Sequence, residues 1–131
     1  MPTIHEFDEP ADLIAKYDEL KSGSDFFIVY MTGGIDAASG KSWCPDCDAA
    51  RPNINSHVLD KTALTVLKGN VNDRNTWVGV STHPYKAHPV LKAGGVPSLL
   101  LIGNGGQVLM RAESDDDFKN EDMLAAICTG E

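Results

Sequence analysis

The sequence predicts an α/β protein in which a mixed sheet carries helices on both faces. Three observations lead there. Phe26-Phe27-Ile28-Val29-Tyr30-Met31 is an unbroken apolar run of β-branched and aromatic residues, the pattern of a strand covered on both sides. The segment before it presents Leu13, Ile14, Tyr17 and Leu20 at helical spacing. Toward the end, two apolar runs flank Asn104-Gly105-Gly106, which reads as a hairpin with a glycine-dependent turn, and a helical pattern follows.

The elements follow in order. Ile4 to Phe7 reads as a short edge strand, and Asp8-Glu9-Pro10 as the start of a first helix that Gly23 closes. The 26–31 run is expected at the sheet centre. Thr32 to Ser42, rich in Gly and Ala, reads as a loop leaving the sheet. A second helix is expected from Pro45 to about Leu59, kinked at Pro52, whose ring removes one ladder bond and crowds the preceding turn. Ala63 to Leu67 is the next strand. Gly69 to Gly95 is the least patterned stretch; Trp77, Tyr85 and Val90-Leu91 fit a short helix or two, interrupted by Pro84 and Pro89. Val96 to Ile102 and Gln107 to Met110 form the hairpin. Phe118 to Cys128 is the closing helix, with Met123, Leu124 and Ile127 inward. Asp115-Asp116-Asp117 is expected as a solvated face, with helix N-capping as the other reading.

At 131 residues and 42% hydrophobic content, the chain suits one domain, 1–131, with a real core. No apolar run approaches the roughly 20 residues of a membrane span. Met1 to Glu6 lacks the basic and apolar regions of a signal peptide. A cytoplasmic location is the expectation. The formal net charge of −8 argues against nucleic acid and anionic membranes as partners, since both need a basic patch.

Chemistry is concentrated in Ser42-Trp43-Cys44-Pro45-Asp46-Cys47, which holds two of the three cysteines. Such a pair can close a small disulfide ring or supply half of a zinc site. Pro45 suits the first turn of a helix, where its missing N–H has no intrahelical role. Cys44 then falls at the N-cap, where free backbone N–H groups and the helix dipole favour a thiolate. Cys47, one turn in, is expected to be more buried and less ionised, the asymmetry that a nucleophile and a resolving thiol require. His83 and His88 have the internal spacing of a zinc pair, yet lie far beyond the usual reach from a Cys-x-x-Cys, about 12 to 15 residues. Prolines flank both, so no metal is expected.

At this point the chain resembles the thioredoxin fold: Trp43-Cys44-Pro45-Asp46-Cys47 after a central strand, Pro52 beyond the second cysteine, and Gly95-Val96-Pro97-Ser98-Leu99-Leu100 before the terminal hairpin. It resembles more closely the thioredoxin-related family called thioredoxin domain-containing protein 17. That likeness rests on Gly40 to Cys47, on the extended Thr32–Ser42 loop, and on Asp73 and Trp77. The resemblance implies a three-layer α/β/α sandwich. It also implies Cys44 as nucleophile, Cys47 as resolving thiol, and Pro45 and Asp46 as residues that tune the redox potential. Val96-Pro97 would be a cis peptide facing the dithiol, offering its backbone to an extended substrate. The family is regarded as a reductase of small disulfides such as cystine, with peroxidase activity, recharged by NADPH through thioredoxin reductase; no bound cofactor is implied beyond a reversible Cys44-Cys47 disulfide.

Two departures stand out. Thioredoxin carries a buried acid where this chain has Tyr30, which leaves Asp46 as the nearest group for proton transfer to Cys47. A substrate-surface glycine of thioredoxin is replaced here by Ala112 and Glu113, and with the longer loop before Trp43 this predicts a narrower or more acidic surface. Trp43 is expected to cover the dithiol and meet substrate, the other reading being core packing. Trp77 and Tyr85 read as packing, Tyr30 as core with a hydrogen bond toward the site as the sharper reading, His57 as a surface or half-buried side chain, and Cys128 as a packed thiol. Lys41 and Ser42 fit either a thiolate-stabilising role or a solvated loop. The expectation is thus a monomeric thiol-disulfide oxidoreductase acting on small disulfides and selected protein disulfides. The alternative is a non-catalytic redox-sensitive adaptor; peroxide reduction as the main task lacks a distinct motif.

Overall fold

The computed structural model describes residues 3–23 and 25–130. Met1, Pro2, Ser24 and Glu131 of the expected domain lie outside the described residues. The chain runs β1 (Ile4–Phe7), α1 (Pro10–Lys21), β2 (Phe27–Gly33), β3 (Ile35–Asp36), β4 (Lys41–Ser42) and α2 (Pro45–Ile54). It continues through β5 (Thr65–Val71), α3 (Pro84–Ala87), β6 (Ser98–Ile102), β7 (Val108–Ala112), α4 (Asp115–Lys119) and α5 (Glu121–Thr129). Among the described residues no helix is long and apolar enough to cross a membrane.

The main sheet has the order β1-β5-β2-β6-β7. Its first three strands are parallel, whereas β6 runs antiparallel to β2 and β7 to β6. β2 is central and buried along its whole length, as its apolar run requires. Alternation along it builds two cores. Ile28 and Tyr30 pack with Ile54, Val58, Phe118, Leu124 and Ile127 beneath α2, α4 and α5. Phe27, Val29 and Met31 pack with Leu13, Tyr17, Trp77, Tyr85 and Leu91 on the side of α1 and α3. The fold is therefore the mixed-sheet α/β sandwich expected, with helices on both faces.

Local differences have physical causes. The expected loop 32–42 instead prolongs β2 to Gly33 and then forms the small β3–β4 hairpin, pairing Ile35 with Ser42 and Asp36 with Lys41. β5 starts two residues later than expected and runs to Val71, because β1 and β2 pair with it on both sides and carry it through Lys68, Gly69 and Asn70, which lack a strand pattern. Pro52 lies inside α2, and the irregularity comes just beyond it as a π-helical turn, Asn55–Leu59. The closing helix is two helices. Ser114 and Asp117 form a reciprocal capping box that starts α4 early, and Asn120 ends it and caps α5 through the Met123 N–H at 3.1 Å. In the acidic run, Asp117 is thus a capping residue, while Asp115 and Asp116 are exposed. The hairpin turn holds Gly105 and Gly106 at φ 80° and 82°, where other residues would be strained.

Candidate active site

The end of β2 delivers the chain to the dithiol, and α2 begins there. Cys44 is the N-cap of α2 in extended conformation, and its Sγ accepts the Cys47 N–H at 3.2 Å. Proline at the first helical position makes this start possible. Cys47 is fully buried, and its Sγ accepts the Gly33 N–H at 3.2 Å. Both thiols are unbridged. Cys44 is brought down to about 7, chiefly by the hydrogen bond from the Cys47 thiol and further by the Cys47 N–H, against the opposing effects of burial and the Asp46 charge. Cys47 moves the other way, because it shares its proton with Cys44 and lies in the core.

Neighbouring residues hold this geometry. The Cys44 N–H donates to Ser42 Oγ at 3.0 Å, and the Ser42 N–H donates to the Asp48 carboxylate at 3.1 and 3.2 Å. Arg51 Nη1 donates to the same carboxylate at 2.7 Å and holds it below the usual carboxylate range. Ser42 therefore braces the Cys44 backbone, and Lys41 is exposed. A Cβ at Gly33 would lie 2.5 Å from Ser42 Oγ, 2.9 Å from Cys44 Cβ and 3.2 Å from Trp43 Cε2, so only glycine lets the motif rest on the strand end. Trp43 is half-buried, packs on the α1-side core, and its Nε1 donates to the Val71 carbonyl at 2.6 Å. Its indole is an anchored wall rather than a free flap.

The Val96–Pro97 peptide is cis, and the Cys44 thiol donates to the Val96 carbonyl at 3.5 Å. Beside it runs a groove of about 300 Å³ lined by Asp46, Val96, Pro97, Glu113, Asp115 and Phe118. Its wall is acidic. Glu113 is held by Arg111 at 2.7 Å and by the Gly94 N–H at 3.1 Å.

Asp46, expected as the proton-transfer group for Cys47, is exposed in that groove, and no hydrogen bond joins it to the buried sulfur. A fixed helix start explains this: the position two residues after the N-cap points away from the face that buries Cys47. What lies beside Cys47 is Thr32, whose buried hydroxyl is near enough to favour the ionised forms of Cys47 and Tyr30, though it meets no partner among the described residues at full hydrogen-bond geometry. An orphaned buried hydroxyl costs about 1–3 kcal/mol unless water reaches it. Gly33 and Thr32 lie outside the motif, whereas Ser42 opens it; the alternation Ile28, Tyr30, Thr32 is the signal that places Thr32 on the α2 face. Away from the site, the His83 and His88 Nδ1 atoms accept local backbone N–H groups, and no cluster of three or more potential metal ligands occurs among the described residues. Tyr30, Trp77, Tyr85 and Cys128 are buried.

Comparison with known proteins places this architecture. The family described as thioredoxin domain-containing protein 17-like, thioredoxin domain, matches residues 3–128. The chain is 30% identical over 127 residues to thioredoxin-like protein Clot of Oryza sativa subsp. japonica, covering 89% of each chain. It is 38% identical over 96 residues to thioredoxin domain-containing protein 17 of Epinephelus coioides, covering 66% of this chain and 72% of that one. A stretch of 85 residues is 32% identical to acireductone dioxygenase of Leishmania infantum; it covers 56% of this chain and 23% of that protein's length. Among solved structures, thioredoxin O2 from Arabidopsis thaliana matches with a TM-score of 0.62 at 16% identity, over 96% of this chain and 95% of that one, a likeness of fold. The chain belongs to the thioredoxin domain-containing protein 17-like thioredoxin-domain family.

Proposed function

We propose that the protein is a thiol-disulfide oxidoreductase that reduces small disulfides such as cystine and a limited set of protein disulfides. The observation that carries this reading is the asymmetry of the two sulfurs. Cys44 is acidified to about 7 at a helix start beside a groove, whereas Cys47 is fully buried and holds its proton. The family and the thioredoxin fold support a thiol-redox role.

In this reading the Cys44 thiolate attacks one sulfur of the substrate, whose other half leaves with the bonding electrons. Cys47 then loses its proton and attacks Cys44, releasing the second thiol and leaving the Cys44-Cys47 disulfide. The substrate gains two electrons and the dithiol loses them. Pro45 and Asp46 set the potential through the helix start and the nearby charge. Trp43, Val96 and Pro97 form the substrate surface, with the Val96 backbone available for a short β-pairing. Electrons come from NADPH through thioredoxin reductase, and no bound cofactor is needed. The protein acts as a cytoplasmic monomer, without nucleic acid or membrane as partners, and peroxide reduction is a secondary activity of the same thiolate.

The test is NADPH consumption in the presence of cystine, thioredoxin reductase and the protein. Sustained consumption that requires both cysteines is expected. A wild-type protein that binds partners differently when oxidised but never turns over would be an adaptor, and the enzyme reading would be wrong.

A further inference from the structure

Burial protects Cys47 from solvent, yet resolution requires it to lose a proton. Tyr30 stands where thioredoxin has its acid, and Asp46 lies out in the groove. Behind the dithiol, on the α2 face of the sheet, the structure holds a polar cavity of about 200 Å³. Gly33, the donor to Cys47 Sγ, lines it, as does Thr32. The Thr32 residue is 3% exposed, and its hydroxyl is near enough to Cys47 to favour the thiolate while meeting no partner at full hydrogen-bond geometry among the described residues. Arg51 comes from the same helix as Cys47 and lines the cavity too; its Nη1 is taken by Asp48, while its buried Nη2 has no partner. At the outer end, Glu6 accepts from Asn70 Nδ2 at 3.0 Å and pairs with Lys68 at 3.5 Å. A cavity of this size with several converging polar atoms suits ordered water, and water there would satisfy both orphaned groups.

This inference rests on the oxidoreductase reading and deepens it. We propose that the Thr32 hydroxyl is the relay through which the Cys47 proton passes into water of this cavity, with Glu6 as the carboxylate at its outer end. The relay works on the mixed disulfide. While Cys44 is a thiolate, its charge and its hydrogen bond keep the proton on Cys47. Once Cys44 is joined to substrate, both are gone, and burial is the main opposition to ionisation that is left. Lys68 from β5 and Arg51 from α2 then favour the Cys47 thiolate, whereas Glu6 and Asp8 beside them oppose it. The Tyr30 hydroxyl, buried beside Thr32 on β2, stays protonated, because burial pushes it up. The Cys47 sulfur attacks Cys44 as its proton leaves by way of Thr32, and the substrate half departs with the bonding electrons. Thr32 is thus a proton relay that takes the proton from Cys47 and hands it to water.

A single-turnover reaction with dithiodipyridine separates the steps. The first thiopyridone is released by Cys44, the second by Cys47, and this leaving group needs no proton. With Thr32→Val, the first release is expected at the wild-type rate and the second to fall by about tenfold to a hundredfold, the scale of a lost proton-transfer group. The loss is expected to deepen as pH falls, and Thr32→Ser to restore the rate. In the wild type, heavy water is expected to slow the second release and not the first. A second release untouched by Thr32→Val, a Thr32→Ser variant as slow as Thr32→Val, or equal isotope effects on both releases would overturn the relay and leave the oxidoreductase intact. A wild-type protein that releases no thiopyridone would overturn both.

Discussion

The two sides of the dithiol are built in opposite ways. In front of Cys44 lies an open, acidic groove whose walls come from separate elements: Asp46 from α2, Val96 and Pro97 from the turn before β6, and Asp115 and Phe118 from α4. Behind Cys47 lies a smaller cavity of mixed charge, in which Lys68 and Arg51 face Glu6 and Asp8 across the ends of three strands. The hydrogen bond from the Cys47 thiol, with those from the Cys47 and Asp46 backbone N–H groups, brings the Cys44 pKa down against burial and the Asp46 charge. At the rear, the hydrogen bond shared with Cys44 and then burial hold the proton on Cys47. Two cysteines one helical turn apart thus acquire opposite acidities, first from the hydrogen bond between them and then from what each faces.

The largest expected effect separates the two sulfurs outright. Cys44→Ser is expected to abolish disulfide turnover, because the front loses its nucleophile. Cys47→Ser is expected to keep the first attack and trap a mixed disulfide through Cys44, visible by mass spectrometry under non-reducing conditions. A trapped adduct on residue 47 in Cys44→Ser would reverse the assignment.

The pH profile sharpens the same contrast. Only the thiolate is alkylated by iodoacetamide, so Cys44 labelling is expected to rise about tenfold per pH unit up to about pH 7 and to level off above it. Cys47 in the reduced protein is expected to stay unlabelled across that range, because its folded-state pKa is raised. Peptide mapping of the labelled protein checks both.

A smaller effect reads the front wall. Cystamine, a cationic disulfide, is expected to react faster than anionic dithiodipropionate by about threefold to tenfold at low ionic strength, with the gap closing as salt screens the acidic groove. Asp46→Asn is expected to narrow that gap and to lower the Cys44 pKa, followed by thiolate absorbance. The smallest effect is structural. Ser114→Ala removes the cap of α4 and is expected to cost about 1 kcal/mol, read by chemical denaturation, while leaving the rear cavity unchanged.

Legibility in the sequence tracked locality. The Phe26–Met31 run, the helix start at Pro45 and the glycine turn at 105–106 are encoded by neighbours along the chain, and each was readable. The extent of β5 is not legible, because Lys68, Gly69 and Asn70 become strand only by pairing with β2 and, for the first two, with β1 as well. The break at Asn120 is not legible because its cap on the Met123 N–H outweighs a continuous apolar pattern. Within the site, the dithiol and Val96-Pro97 stand out as motifs. Thr32 and Gly33 do not, because their importance lies in what they touch across the fold.

By itself, the sequence determined the α/β class, the dithiol at a helix start and the thioredoxin-type order of elements, since periodicity, capping and spacing are properties of the chain. Only the tertiary structure decided what each sulfur faces. It set Asp46 out in the groove, brought Thr32, Arg51, Lys68 and Glu6 from four elements to one cavity, and buried Cys47 against the Gly33 N–H. The physical reason is that acidity and proton access depend on burial and on charges a few ångströms away in space, which no local pattern along a chain records.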